Sequence, residues 1–225
     1  MLHRPIRFRH GPLSVYVQPL EHVPDLARVA QRLPGSAAAM WLDSARAHPL
    51  TGRWSMLGWD PWLTFSARNG RLTLRTSAAT HHYSAHPLEA LRELLQRYRA
   101  SAQPTTVFGR AIGLMGLLSY ELNGWIEALP PPREAGPMLP EMVWCAMKMV
   151  VLVDHDEDRA WLLSVLDPHE SAQTARRQAL AALEDALARM HDAAPDAEGP
   201  VPPPEISSGA CLEPTMSQAA FEQMV

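Results

Sequence analysis

Only two cysteines, Cys145 and Cys211, occur in the 225 residues. Without paired spacing they form neither a disulfide framework nor a cysteine zinc site. No apolar run is long enough to cross a bilayer, which takes about 20 residues. The longest, Ala146 to Val153, is interrupted by Lys148. The start, Met-Leu-His-Arg-Pro, lacks an apolar stretch behind its basic residues and does not read as a signal peptide. Positive charge is not in excess either. Twenty Lys and Arg stand against 24 Asp and Glu, a net charge of −4. No global basic field therefore draws nucleic acid or an anionic membrane. Arg4, Arg7 and Arg9 cluster near the start but are too few for a nucleic-acid arm. Together these absences point to the cytoplasm, with neither a nucleic-acid nor a membrane partner.

Motifs of well-known chemistry are scarce too. There is no Gly-x-Ser-x-Gly elbow and no dinucleotide fingerprint, and Gly113-x-x-Gly116 lacks the lysine of a phosphate loop. His81-His82 would point to opposite faces of a strand. Asp154-His-Asp-Glu-Asp158 has neither the glycine nor the terminal glutamate of a calcium-binding EF loop, and it reads as a solvated hairpin tip. No metal site is expected from either group. Glu121 and Glu127 are six apart and so are not helical neighbours, which argues against an acid/base pair. Cys145 lies in the most apolar stretch and reads as an inert, buried thiol.

What is present is an ordinary globular composition, 47% hydrophobic and 20% charged. The length fits one large domain, or one domain and the start of another. Val15 to Gln18 reads as a short strand. Pro24 opens a helix with Leu26, Val29, Ala30 and Leu33 on one face, and Pro34-Gly35 ends it. Ala38 to Leu42 reads as a buried strand. In Trp62 to Thr76, apolar residues alternate with polar ones on both sides of Asn69-Gly70, a pair that suits the positive φ angles of a type I′ turn. This predicts a hairpin. His86-Pro87 opens a helix with Leu88, Leu91, Leu94 and Leu95 on one face, ending near Ala100.

Ala111 to Pro130 reads as a glycine-rich strand or tight turn passing into a short helix that ends at the prolines 130 to 132. Met142 to Val153 and Ala160 to Leu166 form a second hairpin, with the first strand buried on both faces. Ser171 caps an amphipathic helix reaching Met190. Ala193 to Pro204 has five prolines and one glycine and reads as an exposed linker. Thr215 and Gln218 are spaced as in a capping box, ahead of Phe221, Met224 and Val225. The expected organisation is a domain over 1–192, a linker over 193–214, and the first turns of a truncated carboxy-terminal domain over 215–225. The fold class is α+β, with antiparallel sheets and flanking helices.

Two segments carry a resemblance. One is Gly113-Leu-Met-Gly-Leu-Leu-Ser-Tyr-Glu-Leu-Asn-Gly-Trp-Ile-Glu-Ala-Leu-Pro130. The other is Met40-Trp-Leu-Asp-Ser-Ala-Arg46, followed by Gly52-Arg-Trp-Ser-Met-Leu-Gly-Trp-Asp-Pro61. In order and spacing they resemble the amino-terminal domain of the chorismate-utilising synthases, chiefly component I of aminodeoxychorismate synthase and of anthranilate synthase. The resemblance implies a tryptophan-like pocket at Ser44, Arg53 and Trp54, with Ser55 the weaker adjacent candidate. Asp43 departs from the pattern, standing where regulated anthranilate enzymes usually carry glutamate. With Leu118 to Leu122, this leans toward the aminodeoxychorismate branch. The resemblance also implies that chorismate and magnesium are bound by a carboxy-terminal domain that is missing here. A separate glutamine amidotransferase subunit, component II, would supply ammonia. No catalytic residue is carried over, and the fragment alone is expected to be inactive. The alternatives are the anthranilate branch and a non-catalytic module that binds an amino acid or docks an amidotransferase.

Overall fold

The computed structural model describes residues 5–35, 38–44, 52–99, 107–128 and 139–191, with Ser217 and Gln223. The chain divides into two compact units, Met1–Ala194 and Pro195–Val225. The architecture below belongs to the first. The expected linker and the helix start at Thr215 lie almost wholly outside the described residues.

The fold is α+β. One nine-stranded antiparallel sheet is built from β1 (Ile6–His10), β2 (Leu13–Pro19), β3 (Ala39–Leu42), β4 (Trp54–Arg68), β5 (Arg71–Thr76), β6 (Thr80–Ser84), β7 (Met115–Leu118), β8 (Met142–Asp154) and β9 (Arg159–Val165). The main order is β1-β2-β9-β8-β4-β5-β6, with β3 added to β4 and β7 added to β8. The two longest strands, β4 and β8, pair along their whole length, from Trp54 opposite Asp154 to Ala67 opposite Met142. Each changes its outer partner midway. β4 gives Met56–Trp59 to β3 and Leu63–Arg68 to β5, and β8 gives Met142–Cys145 to β7 and Met149–Asp154 to β9. At the changeover the β4–β8 register shifts between Pro61 and Leu63. Asp60 has a φ of 55°, an unusual angle for a residue with a side chain. The extra residue, Trp62, is a bulge that bends the strand.

Both faces of the sheet are covered at its centre, so β8 is buried on both, as its mostly apolar sequence predicts. Met149, Val151 and Val153 face helices α1 (Leu26–Gln31) and α3 (Ala172–His191). Val150 and Leu152 belong to the opposite core, with helix α2 (Pro87–Arg97). This split follows from the period of two. Helix α3 lays Ala175, Ala179, Leu183 and Ala186 on the sheet, at helical spacing. Ser171 caps it, its Oγ accepting from Thr174 N at 3.2 Å.

Both predicted hairpins are present. Asn69 and Gly70 have φ angles of 49° and 69°, as a type I′ turn requires. Several local expectations are corrected. Strand β3 is a half-exposed edge, with Trp41 and Leu42 each 42% exposed. Pro24 does not begin α1. Asp25 caps that helix, accepting from Ala27 N at 2.9 Å. Leu95 is 50% exposed because α2 turns Ala90, Leu91 and Leu94 inward. The expected short helix after β7 is a 3-10 helix, Tyr120–Trp125, which ends ahead of the prolines 130 to 132, themselves outside the described residues. Strand β1 was not expected. Its Arg7 and Arg9 disguise an edge strand that Gly11, with a φ of 57°, folds back onto β2. Cys145 is buried, and burial pushes its thiol up. Among the described residues, no helix is long and apolar enough to cross a membrane.

Candidate functional site

The four residues named from the motif come together where β3 ends and β4 begins, beside the turn between β8 and β9. Register explains this convergence. Trp54 lies opposite Asp154 across the β4–β8 pair, so the residues around position 54 meet the turn 154–158.

Arg53 directs its guanidinium at Asp154. Its Nε donates to Oδ1 at 2.9 Å and its Nη2 to Oδ2 at 2.7 Å. This is the two-pronged geometry that suits a carboxylate. The Asp154 side chain is 2% exposed and that of Arg53 is 38% exposed. The hydrogen bond from Arg53 holds the Asp154 carboxyl below the usual carboxylate range, against the opposing effect of burial. The same bond raises the guanidinium's own pKa. Asp156 N also donates to Asp154 Oδ1 at 3.2 Å, and Arg53 O accepts from His155 N at 2.8 Å. Asp154 is therefore not part of a solvated tip, contrary to the sequence expectation. A carboxylate ending a buried strand needs a partner, and that was the available signal. Which arginine supplies it depends on pairing across about a hundred residues.

Ser55 is fully buried. Its Oγ donates to Asp43 Oδ1 at 3.0 Å and accepts from Ser44 N at 3.0 Å. His155 Nε2 lies 2.7 Å from the same oxygen. A hydroxyl has one hydrogen. With that hydrogen directed at Asp43, the Nε2–H tautomer of His155 completes the arrangement by donating to the same oxygen. In that arrangement the serine is a saturated junction of three hydrogen bonds. A hydrolytic triad needs the histidine to accept the serine proton, with the acid on the histidine. Here the acid is on the serine. Ser44 Oγ donates to Trp54 O at 2.6 Å. The two serines pin together the ends of the loop between them, whose residues 45–51 lie outside the described set.

The Trp54 ring lies under two cations. The guanidinium carbon of Arg53 is 5.0 Å from its centroid and that of Arg110 is 5.4 Å away. Such contacts attract through the ring quadrupole. Arg110 belongs to a 3-10 turn, Val107–Ala111, and was not singled out from the sequence. Nor were Asp154 and His155 as neighbours of this site. The remaining motif positions lie elsewhere. Glu121 is in the 3-10 turn after β7 and Glu127 just beyond it, both exposed. His81 and His82 are exposed on β6, where His82 Nδ1 is 3.1 Å from Thr73 Oγ1. Among the described residues, no group of three His, Cys, Asp or Glu side chains is placed to hold a metal ion.

No family model matches the chain. It is 28% identical over 128 residues to anthranilate synthase component 1 of Synechocystis sp.. It is 28% identical over 130 residues to aminodeoxychorismate synthase component 1 of Klebsiella aerogenes, and 30% identical over 130 residues to that of Salmonella typhimurium. The matches cover 56%, 58% and 57% of this chain, but only 25%, 29% and 28% of those proteins. The crystal structure of anthranilate synthase component I from Streptococcus pneumoniae aligns with 74% of this chain and 36% of that one. The TM-score is 0.49 and the sequence identity 17%. Over a little more than half its length, the chain is related in sequence to component I of the anthranilate and aminodeoxychorismate synthases.

Proposed function

We propose that the chain is a non-catalytic, amino-terminal part of a chorismate-aminating component I, of the aminodeoxychorismate branch. The observation that carries this reading is the extent of the match, which leaves roughly three quarters of each relative outside it. Chorismate and magnesium would be bound there, in the portion beyond the match. The product would be 4-amino-4-deoxychorismate, on the way to 4-aminobenzoate and folate. Ammonia would come from a glutamine amidotransferase partner.

Asp43 supports the choice of branch. Asp43 is exposed, and its carboxylate accepts a hydrogen bond from Ser55 Oγ at 3.0 Å. The tryptophan-like pocket at Ser44, Arg53, Trp54 and Ser55 belongs to the same proposal, in a restricted form. The polar atoms of Ser55 and Ser44 already bond within the loop, and Arg53 is engaged with Asp154. Arg53 therefore shapes such a pocket, and other groups would meet an amino acid's carboxylate. The anthranilate branch is the second reading, favoured by the match to the Synechocystis protein.

Chimeras test both readings. This chain replaces the matched region of the Salmonella aminodeoxychorismate enzyme or of the Synechocystis anthranilate enzyme. Retained amination in the first and loss in the second is expected. The reverse would assign the anthranilate branch. The 225-residue chain alone, given chorismate, ammonia and magnesium, should form neither product. Turnover by it would refute the non-catalytic assignment.

A further inference from the structure

The first compact unit contains a cavity of about 720 Å3 between α2, the segment ahead of β7 and the sheet. That volume falls within the roughly 300–1,000 Å3 that accommodates small organic ligands. Its wall depends on the β4 bulge. The extra residue, Trp62, is 3% exposed and meets Tyr98 edge to face, with ring centroids 5.2 Å apart. Ile112 and Met147 extend this apolar wall. The charged lining residues lie on and just after α2, and they are Arg92 and Arg99. Among the described lining residues there is no carboxylate. Glu89 approaches Arg92 only to 4.0 Å, with both side chains about two-thirds exposed, so the pair is weak.

Two further polar groups complete the lining. Burial lowers the pKa of His10, which keeps it neutral at neutral pH. Burial chiefly raises that of the Tyr98 hydroxyl, which stays protonated and able to donate. Its oxygen lies 3.4 Å from His169 Nε2. The lining is thus aromatic and aliphatic on its wall and cationic at one edge, with no carboxylate among the described lining residues.

We propose that this cavity binds a small carboxylate with an aromatic or cyclic apolar body, at a site separate from the Ser44–Ser55 network. The apolar body displaces water from the wall around Trp62, and the carboxylate meets Arg92 and Arg99, whose guanidinium forks suit its two oxygens. An ammonium of the same shape would face the two guanidiniums, while the nearby carboxylates of Glu89 and Asp167 already lie against Arg92 and Lys148. This site does not depend on the branch or on the activity of the relatives.

The test is calorimetric titration of the 225-residue chain with 3-phenylpropionate, 3-phenylpropanol and 3-phenylpropylamine. Saturable binding of the carboxylate is expected, about tenfold or more tighter than the amine. Arg99→Gln and Arg92→Gln should each weaken it by roughly three- to tenfold. Arg75→Gln, on β5 and outside the lining, should change it by less than about twofold. Melting curves establish that the variants are folded. Absence of saturable carboxylate binding, equal affinity for the amine, or an equal loss in the Arg75 variant would overturn the proposal.

Discussion

Gly116 offers a sharp test of how β7 packs. A methyl group built on it would collide with the carbonyl oxygen of Val143 and come within 2.7 Å of Cδ2 and Cε3 of Trp144. Its backbone is not in the left-handed region, so the reason for glycine here is space. The carbonyl belongs to β8, which is held on its other side by β4, so it cannot yield cheaply. Strand β7 must move outward in Gly116→Ala. Overpacking of this kind costs about 1–3 kcal/mol. Stretching a couple of β7–β8 hydrogen bonds adds about 1 kcal/mol. The sum, about 2–4 kcal/mol, corresponds to a fall of roughly 4–16 °C in Tm for a domain of this size. Gly124→Ala is the control, since nothing lies within 4 Å of its added methyl. It should change stability by about 1 kcal/mol or less. Circular-dichroism melts and urea titrations read both variants. Equal melting of the two would show that β7 does not lie against β8 as described.

Two further outcomes follow from buried groups. The lowered pKa of Asp154 means that the folded protein holds this proton less tightly than the unfolded chain, whose carboxylate titrates near 3.9. The stabilisation is complete above about pH 5 and is lost as pH falls through about 4 and below. Asp154→Asn should therefore flatten the fall in stability on acidification, and an unchanged slope would count against the pair. In a Cys211→Ser background, Cys145 should resist a maleimide near pH 8 in native buffer and react once guanidinium unfolds the chain. Prompt native labelling would contradict its burial.

The elements read correctly from sequence are those whose instructions are local. Asn69-Gly70 sets its turn through backbone angles that few other residue pairs adopt. The polar stretch 154–158 separates two apolar runs that have no alternative but to pair. The first half of β4 was hidden because Gly58, Asp60 and Pro61 look like a loop, whereas they lead into a bulge. Strand β3 misled in the other direction, since an apolar tetrapeptide does not reveal whether a neighbour covers it. Of the candidate site, the motif gave the positions Ser44 to Ser55. It could not give Asp154 and His155, because sheet register decides that contact and no short stretch of sequence encodes it.

The continuous pairing of β4 with β8 also bears on how the chain reaches this state. Ser55 and His155 are 100 positions apart in the chain. During synthesis, β4 can close its hairpin with β5 at once, but its other edge waits for β8 to emerge. Contacts of such long sequence separation form slowly, because loop closure precedes any gain from them. Until then an apolar strand with an open edge is exposed to other chains. Strand β7 has no sheet partner before β8 arrives, and the early β1–β2 hairpin joins the rest of the sheet only through β9. The arrival of β8 therefore joins the early β4–β5 hairpin to the rest of the sheet and closes that interval of exposure.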